Sequence, residues 1–297
     1  MQYFGEIAAL CAAIVWAVAT LIYSQFSHRF SAMQLNIVKG VIASIMMLAV
    51  MPFLPQGLPT TQIEPLYLVV LALSGVIGIA IGDSAYFAAL KRIGPNKTLL
   101  LESLAPPLSG VLALAFLGSE LSAQSWLGIM ATIVAVTFVV FQPSSSGRAI
   151  NRSGILFGLL ASVCQASGVV ISHYALVAGD LPPLLGALIR LSIGVLAVCM
   201  VIKMVEPAPF STVKQYIAEM GSKAMSWLLL AIFVGTFLAL WLQQVAVKYA
   251  NPAIAQTLIA TSPLFILIIC AMRGEKISLK SILGTLFALA GISLFFL

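Results

Sequence analysis

Two acidic side chains, Asp83 and Glu102, lie inside runs that are otherwise apolar enough to form membrane helices. An acid at bilayer depth costs about 2.5–3.5 kcal/mol on insertion scales, so it persists by facing a cavity or a partner. A short basic turn at 91–97 separates the two acids, which places them on antiparallel neighbouring helices, each about 12–17 Å from the turn.

Because like charges at close range do not both stay ionised easily, we predict that one of these two acids titrates. It would serve as a proton-coupling site or as the counter-charge of a cationic substrate. The alternative is a structural pair bonded to Lys39 or to helix hydroxyls.

Two basic side chains, Lys39 and Arg190, also lie inside apolar runs. Each is about six residues into its helix, where a long side chain can snorkel to the interface or form a structural ion pair. The alternative is direct contact with a carboxylate or phosphate of a substrate.

Aromatic and amide side chains inside apolar runs form the third group of candidates, namely Trp16, Tyr86, Gln165, Trp241, Gln243 and Gln244. An aromatic face opposite an amide suits a small polar organic ligand. Tryptophan also packs against lipid or core, however, and glutamine also forms interhelical hydrogen bonds. Tyr86 lies three residues after Asp83, so the two share a helix face.

Prolines interrupt two of the apolar runs near their middle, at Pro106, Pro107 and Pro263. Proline removes a backbone hydrogen bond and kinks a helix. We interpret the three prolines as a gating hinge, with static helix shape as the alternative.

The composition requires a membrane environment for these elements. The chain has 297 residues, of which 61% are hydrophobic and 8% are charged, whereas soluble domains carry about 25% charged residues. The apolar runs have the length of membrane helices and lack the alternation of a barrel. We therefore predict an all-α membrane protein with ten transmembrane helices, at 4–24, 34–54, 66–90, 97–118, 124–142, 153–174, 184–203, 225–248, 253–272 and 279–297.

An internal repeat organises the ten helices into two halves. Lys39 corresponds to Arg190, Pro107 to Pro263, and Trp16 to Gln165. The predicted domains are a first five-helix repeat at 1–142, a linker at 143–152 and a second five-helix repeat at 153–297. Since five is odd, the second half enters the membrane from the opposite side, and the two repeats are inverted.

The formal net charge of +6 does not indicate a nucleic-acid partner, because most of the basic residues lie in connections between helices and form no long basic face. Twelve of the 15 Lys and Arg residues fall in the odd-numbered connections, which places those connections in the cytoplasm and both termini outside. The four cysteines lie in apolar runs without neighbouring histidines. We therefore expect neither a metal site nor a cofactor.

The order of these features resembles the ten-helix, EamA-like branch of the drug/metabolite transporter superfamily. The stretches that carry the resemblance include GDSAYFAALKRIGPNKTLLLESLAPP and WLQQVAVKYANPAIAQTLIATSPLF, and the two five-helix domains correspond to EamA-like repeats. The resemblance implies secondary transport of small metabolites through a central cavity lined mainly by helices 1, 3, 4, 6, 8 and 9. It also implies cytoplasmic termini, in conflict with the charge count.

We therefore expect a non-enzymatic, multi-pass carrier of the cell membrane, of bacterial plasma-membrane type, as a monomer or a weak homodimer. It would export an amino acid, an amine or a nucleobase-like compound, with protons as a coupling ion. The alternatives are a channel, which needs a continuous polar lining, and an intramembrane enzyme. Ala80-Ile81-Gly82-Asp83 only approaches the aspartyl-protease signature, and the chain has no second aspartate in a membrane run.

Overall fold

The structure is a computed structural model that describes residues 3–54, 63–117, 122–140, 151–250, 252–274 and 278–296. Within these ranges the chain is helical and contains no strand, which confirms the predicted all-α class. Two π-helical segments, Val76–Asp83 and Phe233–Leu238, lie between α-helices. The α-helices are α1 Phe4–Phe26, α2 Ala32–Val50, α3 Pro65–Gly75, α4 Ser84–Glu102, α5 Ala105–Leu117, α6 Ala123–Val140, α7 Arg152–Ala178, α8 Pro183–Val205, α9 Pro209–Ala218, α10 Ser222–Ile232, α11 Ala239–Tyr249, α12 Pro252–Ile259, α13 Ser262–Met272 and α14 Leu279–Phe296.

Seven helical stretches in the described part are long and apolar enough to cross a membrane. Shorter apolar helices occur at Trp126–Ala135 and Leu279–Gly291. The seven stretches are Phe4–Phe26, Ala32–Phe53, Pro65–Glu102, Arg152–Ala178, Pro183–Val205, Ser222–Tyr249 and Ala255–Met272.

The stretch Pro65–Glu102 folds back on itself at Gly94. Its 38 residues would span about 57 Å if straight, nearly twice the thickness of a bilayer core. Gly94 has φ 76° and ψ 172°, a conformation that glycine adopts without a Cβ penalty. Helix α7 packs against both arms, because Gly82 approaches Cys164 while Leu101 lies against Gly158. Gly94 is therefore the turn between two antiparallel helical arms.

Local sequence signals set several helix starts. Ser31 and Gln34 form a reciprocal capping box at the start of α2. Asn151 caps α7 by accepting a hydrogen bond from the backbone N–H of Gly154 at 2.9 Å. Proline occupies the first turn of α3, α8 and α9, where its missing N–H has no intrahelical acceptor to lose.

Helix α9 is a short amphipathic helix in the connection that follows α8. Val213, Tyr216 and Ile217 pack against the central core. Lys214 and Glu219 are exposed on the other side. The helix therefore covers one end of the bundle and does not cross the membrane.

Contacts between distant segments define two opposite ends of the bundle. At one end Gly5 packs against Ala250, and the Lys248 Nζ donates to Asp180 Oδ1 at 2.8 Å. That hydrogen bond and the charge of Lys248 hold the pKa of Asp180 below its usual range. At the other end Gln34 Nε2 donates to Glu206 Oε2 at 2.8 Å.

The central core lies among α1, α2, the Gly94 hairpin, α8 and α10. It surrounds the polar residues described below, with Tyr23, Phe87 and Leu191 almost completely buried. Helices α6 and α14 pack mainly against each other. The predicted linker at 143–152 falls outside the described residues except for Asn151 and Arg152.

Candidate functional site

Two helices are interrupted at corresponding places in the two halves of the chain. The first breaks at Ser103–Leu104, between α4 and α5, and the second breaks at Ala260–Thr261, between α12 and α13. Each break directly precedes a proline in the next helix, Pro106 in α5 and Pro263 in α13. The breaks lie about 12–16 Å from the preceding helix ends at Gly94 and Pro252, which is mid-membrane depth.

Both breaks open onto a cavity between the two halves of the chain. Ser103, Pro106, Ala260 and Pro263 are part of its wall. The cavity volume is about 30 Å³, which is enough for ordered water molecules. A second cavity adjoins the first and shares Trp16, Glu102 and Gln165 with it. The polar side chains that line the two cavities are Asp83, Glu102, Ser103, Gln165, Gln243, Gln256 and Ser262.

The indole nitrogen of Trp16 donates a hydrogen bond to Glu102 Oε2 at 2.9 Å. This contact joins α1 to the end of α4, directly before the first break. The rings of Trp16 and Tyr86 lie 5.2 Å apart, and the Tyr86 hydroxyl bonds Thr20 Oγ1 at 2.6 Å. Tyr86 therefore packs against Trp16 and does not line the cavity. Trp16, Glu102 and Gln165 line it together.

Asp83 forms an ion pair with Lys39, whose side chain is 1% exposed. The Lys39 ammonium also lies 4.9 Å from the centre of the Phe87 ring. Lys39 is therefore buried in an ion pair, and its side chain does not extend to the interface. Glu102, in contrast, has no Lys or Arg within ion-pair distance in the described part of the chain.

Asp83 ends the π-helical segment Val76–Asp83, and Asn36 stabilises that segment. The wider π-helical turn alters the backbone hydrogen-bond ladder, and Asn36 Nδ2 donates to the carbonyl of Ile79 at 2.8 Å. The same nitrogen lies 3.0 Å from Ser84 Oγ. A backbone carbonyl in the membrane interior needs such a donor.

Arg190 is 2% exposed and does not line the cavity. Its guanidinium lies between Gly78 and Gly168, where a Cβ on either glycine would come within 3.1 or 3.4 Å of Nη2. Its Nε has no hydrogen-bond partner among the described residues. The close approach of three helices at these glycines holds the guanidinium in place.

Of the two adjacent glutamines predicted in α11, Gln243 is the one that lines the cavity. Gln244 is fully buried and lies 3.4 Å from Ser172 Oγ. Trp241 packs against Phe237 at a ring distance of 6.0 Å. Neither Gln244 nor Trp241 lines the two cavities.

Gln256 is a cavity residue that sequence reasoning did not single out. It is 7% exposed, and its Oε1 accepts a hydrogen bond from Ser109 Oγ at 2.9 Å. The bond links α12 to α5, and so joins the two interrupted helices beside the cavity. The available signal was an amide inside an apolar run, the same signal that identified Gln165.

Comparisons with known proteins agree with this architecture. The profile of the EamA-like transporter family matches residues 3–141 and 152–297. A protein of Archaeoglobus fulgidus described as an uncharacterized transporter is 28% identical over 183 residues, which cover 62% of this chain and 63% of that relative. A solved crystal structure superposes with a TM-score of 0.70 over 99% of this chain and 96% of its own, at 16% identity, and shows the shared fold.

Proposed function

The chain belongs to the EamA-like transporter family, and on that premise we propose that it is a secondary transporter working by alternating access. It exports a small metabolite. It lies in the cell membrane, as a plasma-membrane protein of bacterial type. The two moving units are inverted five-helix repeats, divided within residues 143–152.

The described contacts support ten crossings. The hairpin at Gly94 makes two arms of one long stretch, and α6 and α14 are further apolar helices. Ten alternating crossings would bring Gly5 and Ala250 to one end of the bundle, and Arg92 and Gly154 to the other. Each of these two pairs is in contact.

The observation that carries the proposal is the pair of helix breaks at one cavity. Interrupted membrane helices expose unpaired backbone groups, and in transporters such breaks surround the substrate between inverted repeats. Here the first turns of α5 and α13, with Pro106 and Pro263, line the same space. The interrupted helices α4–α5 and α12–α13 begin at opposite ends of the bundle. The conformational change that opens the cavity to one side in one half therefore has an inverted counterpart in the other half.

The charges support proton coupling at Glu102. Lys39 neutralises Asp83, whereas Glu102 receives one hydrogen bond from the neutral indole of Trp16. A carboxylate in a membrane interior without a counter-ion needs a proton or a cationic ligand. We therefore assign proton exchange to Glu102, with Asp83 as a structural partner of Lys39.

Reconstituted protein in liposomes tests the transport function. Saturable uptake of metabolites from a mixed pool, driven by an imposed proton gradient, is the expected result. A current that rises linearly with voltage and does not saturate would identify a channel and overturn the proposal. The direction is checked by comparing vesicles with the two orientations of the protein.

A further inference from the structure

We propose that the cargo of this cavity is a small organic ammonium ion that binds Glu102 Oε1, with Trp16 as the positioning residue. The inference rests on the proposed transport function and specifies its substrate class. It assigns the two carboxylate oxygens of Glu102 different tasks.

The two oxygens of Glu102 differ in their surroundings. Oε2 accepts the hydrogen bond from the Trp16 indole. Oε1 accepts no hydrogen bond from the described residues. It is not one of the fully buried polar atoms that lack a partner. Because Glu102 lines both adjoining cavities, Oε1 is the oxygen that a bound ligand meets.

The charges around Glu102 select a cation. Asp83, at the end of the π-helical segment, lines the adjoining cavity. Lys39 of α2 is buried and forms the ion pair with Asp83. Helix α1 contributes Trp16, and Tyr86 of α4 packs behind Trp16, outside the described wall. Helices α7, α11 and α12 contribute amides, and no Lys, Arg or His is part of the described wall. An anionic cargo would face unbalanced negative charge.

The rest of the wall selects an organic cation over a metal ion. Leu99, Val169 and Ile259 give the cavity apolar surface suited to a hydrocarbon body. The described residues contain no group of three His, Cys, Asp or Glu side chains that could hold a metal. An ammonium group donates three hydrogen bonds, one to Glu102 and others to the amide oxygens of Gln165 and Gln243.

The same oxygen serves the proton and the ammonium ion, so the two compete for it. Exchange of one proton for one monovalent cation moves no net charge across the membrane. Transport is then driven by a pH difference and is insensitive to membrane voltage. The Trp16 indole, which is a donor only, occupies Oε2 and so leaves Oε1 to the proton or the ammonium ion.

Binding to purified wild-type protein, measured by calorimetry, tests the substrate class with three matched probes. Phenethylammonium, 2-phenylethanol and 3-phenylpropanoate share the ring and differ in the charge of the end group. We expect phenethylammonium to bind at least about tenfold more tightly than the other two, with an affinity that falls as the pH is lowered. Equal or tighter binding of the alcohol or the anion, or no binding of phenethylammonium, overturns the proposal.

Variants test the assigned residues. Glu102→Gln should weaken phenethylammonium binding about 10- to 100-fold, as expected for loss of a charge-assisted hydrogen bond. Its control, Glu206→Gln, changes a carboxyl group outside the cavity and should bind as the wild type does. Trp16→Phe should still bind phenethylammonium at high pH, but as the pH is lowered its binding should be lost at a higher pH than that of the wild type. Trp227→Phe, which changes an exposed tryptophan, should show the pH profile of the wild type. An unchanged pH profile in Trp16→Phe contradicts the positioning role.

Flux measurements separate this inference from the proposed function. Saturable flux of a neutral or anionic solute without flux of phenethylammonium overturns the ammonium cargo and leaves the transporter intact. Voltage-dependent exchange of phenethylammonium overturns the one-for-one exchange. Absence of saturable flux for every solute overturns transport itself.

Discussion

Lys39 and Asp83 form a buried ion pair between α2 and the end of a π-helical segment, beside a cavity whose other carboxylate, Glu102, has no cationic partner in the described structure. The two acids therefore have different environments although both lie in one helical hairpin. One charge is balanced within the protein, and the other is available to a proton or a ligand.

The first prediction concerns this ion pair. Lys39→Met leaves the Asp83 carboxylate buried without a counter-ion, which should cost about 3–5 kcal/mol of stability. The double variant Lys39→Met/Asp83→Asn should recover most of that loss, because no charge is then left unpaired. Thermal unfolding in detergent measures both. A double variant as unstable as Lys39→Met contradicts the assignment.

The pair between Lys248 and the exposed Asp180 is the control for the buried ion pair. The Asp180 side chain is 93% exposed, so solvent screens the interaction, and Asp180→Asn should leave the unfolding temperature almost unchanged. The lowered pKa of Asp180 means that its small contribution is present at neutral pH. The contribution is lost only as the pH falls through the acidic range in which Asp180 becomes protonated.

The second prediction concerns the packing of α3 on α8. A Cβ at Gly75 would overlap the backbone of Arg190, at 2.8 Å from its Cα. Gly75→Ala should therefore destabilise the protein by about 1–3 kcal/mol through overpacking. Gly221→Ala, where nothing lies within 4 Å, is the control and should cost less than about 1 kcal/mol, the small loss expected when alanine replaces an N-cap glycine. Equal unfolding temperatures for the two variants would falsify this packing.

The third prediction concerns the amide that stabilises the π-helical segment. Asn36→Leu removes the donor to the Ile79 carbonyl and should cost about 1–3 kcal/mol, since the carbonyl is left unsatisfied in an apolar interior. Backbone hydrogen exchange should increase within Val76–Asp83. Gln215→Leu removes an exposed amide bonded to Glu219 and should have no such effect. Unchanged exchange in Asn36→Leu contradicts the role of this side chain.

The fourth prediction concerns the bond between Ser109 and Gln256, which links the two interrupted helices. Ser109→Ala or Gln256→Ala should open the cavity more often. A cysteine at Ile259, in a background without the four native cysteines, should then react about two- to tenfold faster with a water-soluble maleimide. The double variant should react no faster than the single variants, because all three lack the same bond. Additive effects would mean that the two residues act separately.

The sequence predicted the helical class, the family and the residues Trp16, Gln165 and Glu102 that meet at the cavity, because polar and aromatic side chains stand out in apolar runs. It did not predict the π-helical segments, since a uniformly apolar run carries no period that would show the extra residue. It also left Gln243 and Gln244 undistinguished, because adjacent residues on a helix differ by about 100° in direction. Tertiary packing decides which of them faces the cavity.

The partner of Asp83 could not be fixed from the sequence either. Lys39 is 44 residues away from it along the chain, and its burial depends on how α2 packs against the Gly94 hairpin. The linear pattern left a snorkelling lysine and a structural ion pair as alternatives. The structure places Lys39 in the ion pair, and this placement makes Glu102 the acid without a counter-ion.

The pH dependence of transport by Glu102→Gln is the decisive test of proton exchange at Glu102. In proteoliposomes with an imposed pH difference, the wild type and Glu206→Gln should show uptake that follows the size of the proton gradient. Glu102→Gln, if folded by its unfolding temperature, should lose that dependence, because no other carboxylate of the described cavity lacks a cationic partner. Uptake by Glu102→Gln that still follows the proton gradient would show that Glu102 is not the proton-exchange site.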